Sequence, residues 1–242
     1  MSKNVTSFLT KLDKLNEKTI EVFVPSLKKT IPTRPLNLKQ QKDLISSMLD
    51  GIKGTLDFSK TLNKIIIKNT GVTDLKIYDK LPFIVSMRKH ALGDRAGSVE
   101  LQSVINNFKN IPFNIKDKAT VKKEGIQLVL TVPTLRRENI LLAKCEQEID
   151  QDQELIKDGV GKLYIYEIIK YIDSIQIDDD VLDMDDIRIN EQVKVVEKLP
   201  LSMYSKISDF IESVNKYNSD VLTVDETEVT IDAEFFDTSA DD

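Results

Sequence analysis

Cysteine and histidine are almost missing from this chain of 242 residues: Cys145 and His90 each stand alone. One thiol cannot close an intramolecular disulfide, and one residue of each kind cannot supply a conventional Cys/His structural zinc site. Stability must therefore come from packing, which suits a reducing cytosol. Long apolar runs are missing too. No stretch approaches the ~20 residues that cross a bilayer. Residues 1–18 interrupt their apolar positions with Lys3, Lys11, Asp13, Lys14 and Glu17, so a signal-peptide core is not expected. What remains is a composition 40% hydrophobic and 31% charged, that of a soluble globular chain. A chain of this length can bury roughly 70–75% of its unfolded surface.

Charge is unevenly placed. The net charge is −6, but acid gathers late, at Asp178, Asp179, Asp180, Asp183, Asp185 and Asp186 and in a tail ending Asp237, Asp241, Asp242. Through Arg137, lysine and arginine outnumber the acids. This asymmetry suggests complementary protein surfaces more than a nucleic-acid groove, which would also need aromatic or motif support. Neither nucleic acid nor a membrane is expected as a partner.

Chemistry-bearing constellations are tested and set aside. Taking Asp178 as position one of a calcium loop places Asp180 at three but Leu182 at five and Asp183 where glycine belongs. Starting at Asp180 puts Glu191 at twelve, yet Leu182 and Met184 then fill ligand positions. A solvated or partner-facing acidic loop is the better reading. His90, just before a helix end, reads as a macrodipole partner, and Cys145 as a small, partly buried side chain on a helix. GIKGTLD (51–57) and DGVGKL (158–163) lack the P-loop sequence and spacing. No carboxylate pair marks a glycosidase cleft. The chain is expected to be no enzyme, with no catalytic residue, no cofactor and no bound metal.

The opening, IEVFVPSLKKTIPTRPLNLKQQKDLISSML at 20–49, is the clearest local architecture. Val22, Phe23 and Val24 form a strand-type run that Pro25 and Ser26 interrupt. A second extended piece lies over Thr30–Thr33, since Ile31 and Arg34 each precede a proline. Asn37 is a good N-cap for a helix carrying Leu44, Ile45, Met48, Leu49 and Ile52, with Gly51 and Gly54 ending it.

Elsewhere, Val5, Phe8, Leu9, Leu12 and Leu15 share one face of a short N-terminal helix, for packing or for docking. Phe58, Leu62, Ile65 and Ile66 define another helix, closed near Asn69-Thr70-Gly71. Asp79 N-caps a helix with Pro82 in its first turn and Gly93 after its last apolar residue. From Ser98 to Pro133 the texture is strand-like, at Val99/Leu101, Ile111–Ile115 and above all Ile126–Val132, with Gly125 and Pro133 as punctuation. Residues 138–149 are helix-prone and run into an exposed connector, with a break at Gly159 and Gly161. YIYEIIKYIDSI, from Tyr164, suits helix or strand, and helix through Tyr171 is favoured. Residues 187–198 and 201–217 form a helical pair broken at Leu199-Pro200, the second lined by Met203, Ile207, Phe210, Ile211 and Val214. Val221–Phe236 alternates as a strand would. No internal repeat is present.

The fold class is therefore α+β: N-terminal short strands with packed helices, a β-rich middle insertion, a helical pair and a C-terminal β segment. Regions are drawn at 1–97, 98–137, 138–218 and 219–242.

Four segments carry a resemblance: VPSLKKTIPTRPLNLKQQKDL (24–44), DKLPFIVSMRKHALGD (79–94), YEIIKYIDSI with the acidic loop and EKLPLSMYSKISDFIESV (166–214), and IDAEFF (231–236). In that order and spacing they resemble the baseplate hub assembly proteins of T-even-like contractile-tailed bacteriophages. The region 98–135 carries less of the likeness. The resemblance implies a non-enzymatic chaperone or minor hub subunit that binds other tail and hub proteins, working in the host cytoplasm during assembly. The alternatives are a permanent component of the baseplate or tail, located in the virion, and a tail-associated cell-wall hydrolase. Some relatives carry cysteine pairs resembling a zinc ribbon near the C-terminal strands. This chain has none at 215–236, so that part must be held by Val221, Leu222, Val224, Val229, Ile231, Phe235 and Phe236. Candidate partner contacts are the proline turn (Pro25, Pro32, Arg34, Pro35), the helix bearing Arg88 and Lys89, and the acidic loop (Asp178, Asp179, Asp180, Asp183). Against these stand plainer readings: fold-specifying punctuation for the prolines, and an exposed or capping residue for Arg88.

Overall fold

The computed structural model describes residues 3–15, 18–47, 51–151, 159–232 and 234–236. After α1 (Lys3–Leu15), the proline-bounded opening folds as its residues dictate, into β1 (Ile20–Val24) and β2 (Lys29–Thr33). The two strands pair antiparallel with Val22 opposite Ile31. The turn closes where the Lys28 amide donates to the Pro25 carbonyl at 3.2 Å. Pro32 is tolerated because each strand of a two-stranded ribbon is an edge strand. Asn37 then caps α2 (Leu38–Ser47): its Oδ1 accepts from the Gln40 amide at 3.0 Å, while Gln40 Oε1 accepts from the Asn37 amide at 3.2 Å. This reciprocal pair satisfies two helix-end donors.

Gly51 and Gly54 do not terminate that helix. Its described part is Leu38–Ser47, and both glycines lie in the first turn of α3 (Gly51–Thr70). Burial of Leu56, Phe58, Leu62, Ile65 and Ile66 along α3 outweighs the roughly 1 kcal/mol that a helical glycine costs. Met48 and Leu49, expected on the earlier helix, lie outside the described residues. The true C-cap is Gly71, at φ +70°, whose amide donates to the Ile67 carbonyl at 2.9 Å. A 3-10 turn (Ile77–Asp79) leads into α4 (Lys80–Leu92), buried almost all round and stopped by Gly93.

The strand-like reading of 98–133 holds only in part. After β3 (Arg95–Ala96) and β4 (Val99–Glu100) comes α5 (Leu101–Asn110), whose buried Leu101, Val104 and Phe108 recur at helical spacing. Residues 111–116 are irregular. The expected strands then appear as β5 (Lys118–Lys123) and β6 (Ile126–Thr131). Glu124 and Gly125 join them, both at positive φ as a two-residue hairpin turn requires.

Residues 135–151 form α6 (Leu135–Gln151), and the connector that follows falls largely outside the described residues. Gly159 and Gly161 mark no break, because they sit in the first turn of α7 (Gly159–Ile169). The ambiguous apolar run divides. Its helix ends at Ile169, and its β-branched end becomes β7 (Ile172–Ile177). The acidic loop is also structured, as β8 (Asp180–Asp183) followed by a 3-10 turn (Met184–Asp186). The helical pair is α8 (Ile189–Val196) and α9 (Leu201–Leu222), separated at Leu199-Pro200 as expected. The alternating C-terminal segment is mostly not strand. The second helix of the pair runs on through Leu222, where Val221 and Leu222 are buried, and only β9 (Thr223–Val224) and β10 (Thr227–Glu228) pair, before a final 3-10 turn (Glu234–Phe236).

The fold is α+β. One core gathers β1, β2, α2 to α5 and the C-terminal aromatics, and a second lies between the four-stranded antiparallel sheet β5-β6-β7-β8 and helices α6 to α9. The long α9 serves both: Met203, Ile207, Phe210 and Val214 enter the second core, Tyr217 and Val221 the first. Phe113 joins them, edge-on to Tyr78 at 4.9 Å and to Tyr217 at 5.1 Å.

Candidate interaction surfaces

The proline turn is tied inward. Pro25 is buried, and Ser26 Oγ donates to Asp79 Oδ1 at the start of α4. Asp79 Oδ2 accepts from the Lys76 amide at 2.8 Å, so this carboxylate closes the 3-10 turn and does not cap α4 with its side chain. Burial pushes its carboxyl up to about 6, against the pull of the Ser26 and Lys76 hydrogen bonds. At the far end the Arg34 amide donates to the Asn69 carbonyl at 3.0 Å, and the Pro35 carbonyl accepts from Asn69 Nδ2 at 3.4 Å. Pro32 and the Arg34 side chain face solvent.

Arg88 is neither exposed nor a simple cap. It is 1% exposed, donating from Nε to the Phe235 carbonyl at 2.9 Å and from Nη1 to the Gly93 carbonyl at 3.0 Å. Its guanidinium carbon lies 5.7 Å from the centroid of the Phe235 ring. These bonds hold the C-terminal turn inside the first core. Lys89, half-buried, pairs with Asp94 at 2.6 Å, and His90 is exposed in the last turn of α4.

Sequence reasoning missed a buried ionic cluster where α3, α4, α6 and the end of α7 meet. Glu138 pairs with Lys80 and, at 3.2 Å, with Lys170, and accepts from Asn63 Nδ2 at 2.8 Å. Burial alone would raise the Glu138 carboxyl, but the Lys80 and Lys170 ammonium groups outweigh it and hold it down at about 2. Lys170 is held above its ordinary value: burial opposes its charge, and the Glu138 and Glu167 carboxylates more than compensate. The only signal in the sequence was a carboxylate at a helical position facing inward. Beside the cluster an open cleft of about 570 Å³ is lined by Lys76, Arg137, Asp185 and Arg188, among others. Cations outnumber carboxylates in its lining, with Arg137 paired to Asp185 and Lys76 Nζ donating to the Val132 carbonyl at 2.8 Å.

Two open surfaces stand out among the described residues. On α1 the apolar face stands in solvent, with Phe8 63% exposed beside Val5, Leu9 and Leu12. On the sheet, Asp178, Asp179, Asp180 and Asp183 are exposed along the β7–β8 hairpin, where alternate residues point to opposite faces. Asp183 also caps the 3-10 turn, accepting from the Asp185 amide at 2.9 Å. Among the described residues no group of three His, Cys, Asp or Glu side chains is placed to hold a metal ion, and no helix is long and apolar enough to cross a membrane.

A family model described as T4 bacteriophage base plate protein matches residues 16–237. The chain belongs to that family. It is a phage baseplate protein, of the virion tail or its assembly, as the four resemblance segments imply. The match takes in both cores and the sheet, and it leaves α1 outside. No curated protein and no solved structure matches the chain.

Proposed function

We propose that this chain is a non-enzymatic assembly protein of the baseplate hub, a chaperone or minor subunit that holds other hub proteins while the baseplate is built in the host cytoplasm. The observation that carries the reading is the exposed apolar face of α1, on a helix that precedes the family-matched region. A contiguous apolar stripe of this kind on one helix face is what a partner's groove or helix covers. On this reading the occupant is another hub protein, and membership of a baseplate family supports a partner from the baseplate. Co-expression with the neighbouring tail genes and recovery by a tag on this chain should bring down a hub protein, and removal of residues 1–15 should release it. Normal tails from phage lacking the gene would overturn the reading.

A permanent place in the baseplate is the alternative, favoured by the two open sheet edges described below. A mass-spectrometric inventory of purified virions separates the two: a chaperone is missing, a structural subunit present at fixed stoichiometry.

A further inference from the structure

The four-stranded sheet ends in two outer strands, β5 and β8, each paired on one side alone. Their edges carry opposite charge. Lys118, Lys122 and Lys123 are exposed on β5, and Asp178, Asp179 and Asp183 are exposed on β8 and its turn. Charged residues on a sheet edge commonly guard it against indiscriminate pairing. Here the guard is selective, because like edges brought together oppose lysine to lysine or aspartate to aspartate, while unlike edges attract.

We propose that β8 of one copy adds to β5 of a second copy, continuing the antiparallel sheet head to tail. Direction agrees with this. Each neighbouring pair in the sheet is antiparallel, so β5 and β8 run oppositely and a translated copy presents an antiparallel partner. Register agrees as well. Ala119 and Val121 share the sheet's inward face with Leu128, Ile175 and Leu182, whereas Lys118, Thr120, Val181 and Asp183 lie on the other face. Setting Thr120 opposite Val181 keeps both faces continuous. The same register sets Lys118 against Asp183, and it brings the β7–β8 turn, with the exposed Asp178 and Asp179, to the end of the β5 edge that carries Lys122 and Lys123. Val181, 65% exposed, is covered by the pairing. Such contacts are heterologous, so copies build a ring or an open row and not a closed two-fold dimer.

One pair of strand edges covers far less than the roughly 1,600 Å² of a standard interface. Association is therefore weak in dilute solution and grows where copies are held side by side, and cross-linking reads it best. Thr120 and Val181 of one copy are separated by three strand spacings and a two-residue offset along the strands, more than about 14 Å, too far for a disulfide within the chain. A Thr120→Cys protein and a Val181→Cys protein, differing in size by a tag, are mixed under mild oxidation. Cys145, 1% exposed, stays out of the exchange.

The expected result is a mixed dimer at least about tenfold more abundant than either like dimer, the ratio falling as salt screens the edges. Lys118→Glu with Lys122→Glu on the Thr120→Cys copy should remove the excess. Asp179→Lys with Asp183→Lys on the Val181→Cys copy should restore it, which also shows that the reversed copies are folded. Like dimers as abundant as mixed ones, no mixed dimer, or an excess indifferent to charge reversal would each overturn the proposal. So would capture of either edge by a strand of another baseplate protein while the copies stay apart.

Discussion

Arg88 Nε donates to the carbonyl of Phe235 at 2.9 Å, across 147 residues of chain. The bond joins the middle of α4 to the final turn, and Gln41 Nε2 adds a second tie to the Phe236 carbonyl at 2.8 Å. Phe236 in turn meets Phe58 with ring centroids 6.0 Å apart. A segment without cysteine is thus held by one buried guanidinium, one amide and two aromatic rings. Arg88→Met would leave the buried Phe235 carbonyl without its donor at roughly 1–3 kcal/mol, and the part-exposed Gly93 carbonyl at a smaller cost. The expected loss is about 2–4 kcal/mol in the urea unfolding free energy, with early proteolytic clipping near the C-terminus. Arg88→Lys should recover only part, since an ammonium does not reproduce the planar fork. An unchanged midpoint for Arg88→Met would refute the role.

Glu138 occupies the corresponding position at the junction of the cores. Glu138→Gln leaves Lys80 and Lys170 buried without their shared counter-charge, and breaking such a pair costs about 3–5 kcal/mol. The carboxyl is held at about 2, below its ordinary 4.5. Its contribution is therefore full above pH 4.5 and is lost as pH falls toward 2. Acid unfolding of the parent should show this loss and that of the Gln variant should not, as measured by circular dichroism across that window.

How much of this was legible in the sequence depends on how local each signal is. The proline hairpin, the Asn37 cap, Gly71 and the Leu199-Pro200 break are set by residues within a few positions, and all were readable. Leu101–Asn110 was misread because Val99 and Leu101 suggested alternation, although Val104, Ile105 and Phe108 carried the helical period. The acidic hairpin was missed because Asp178–Asp183 looks like loop by composition. What makes it a strand is pairing with Ile172–Ile177, which is itself fixed by β6, some 50 residues earlier (Gln127 bonds Gln176 across 49). Arg88 and Glu138 were not recognisable for the same reason. Their partners lie far along the chain, and a charged residue on a helix is ordinarily solvated.

Asp79 gives the opposite pH dependence from Glu138. Its folded value of about 6 lies above its ordinary 3.8, so the folded state holds the proton more tightly between those values. The stability this brings is present at pH below 3.8 and is lost as pH rises through 6. Asp79→Asn removes the buried charge while its amide can still serve the Lys76 amide and Ser26. The variant should lack the decline between pH 4 and 6 and, at pH 7, equal or exceed the parent by about 1–3 kcal/mol. A parent and variant that stay parallel across that window in urea titrations would refute the assignment.

The exposed face of α1 predicts a separation of stability from binding. Phe8 is 63% exposed and Leu12 39% exposed, so neither holds up a core. Phe8→Asp should leave the unfolding free energy within about 0.5 kcal/mol of the parent, as surface substitutions do. If α1 is the arm that holds a hub partner, the same change places a carboxylate in an apolar contact. Recovery of that partner from co-expression should then fall by at least about tenfold, the loss of one central apolar anchor. Leu38→Asp makes a matched control, since Leu38 is 82% exposed at the start of α2 and not on α1. It should alter neither stability nor recovery, and equal losses from both variants would show that α1 is not the arm.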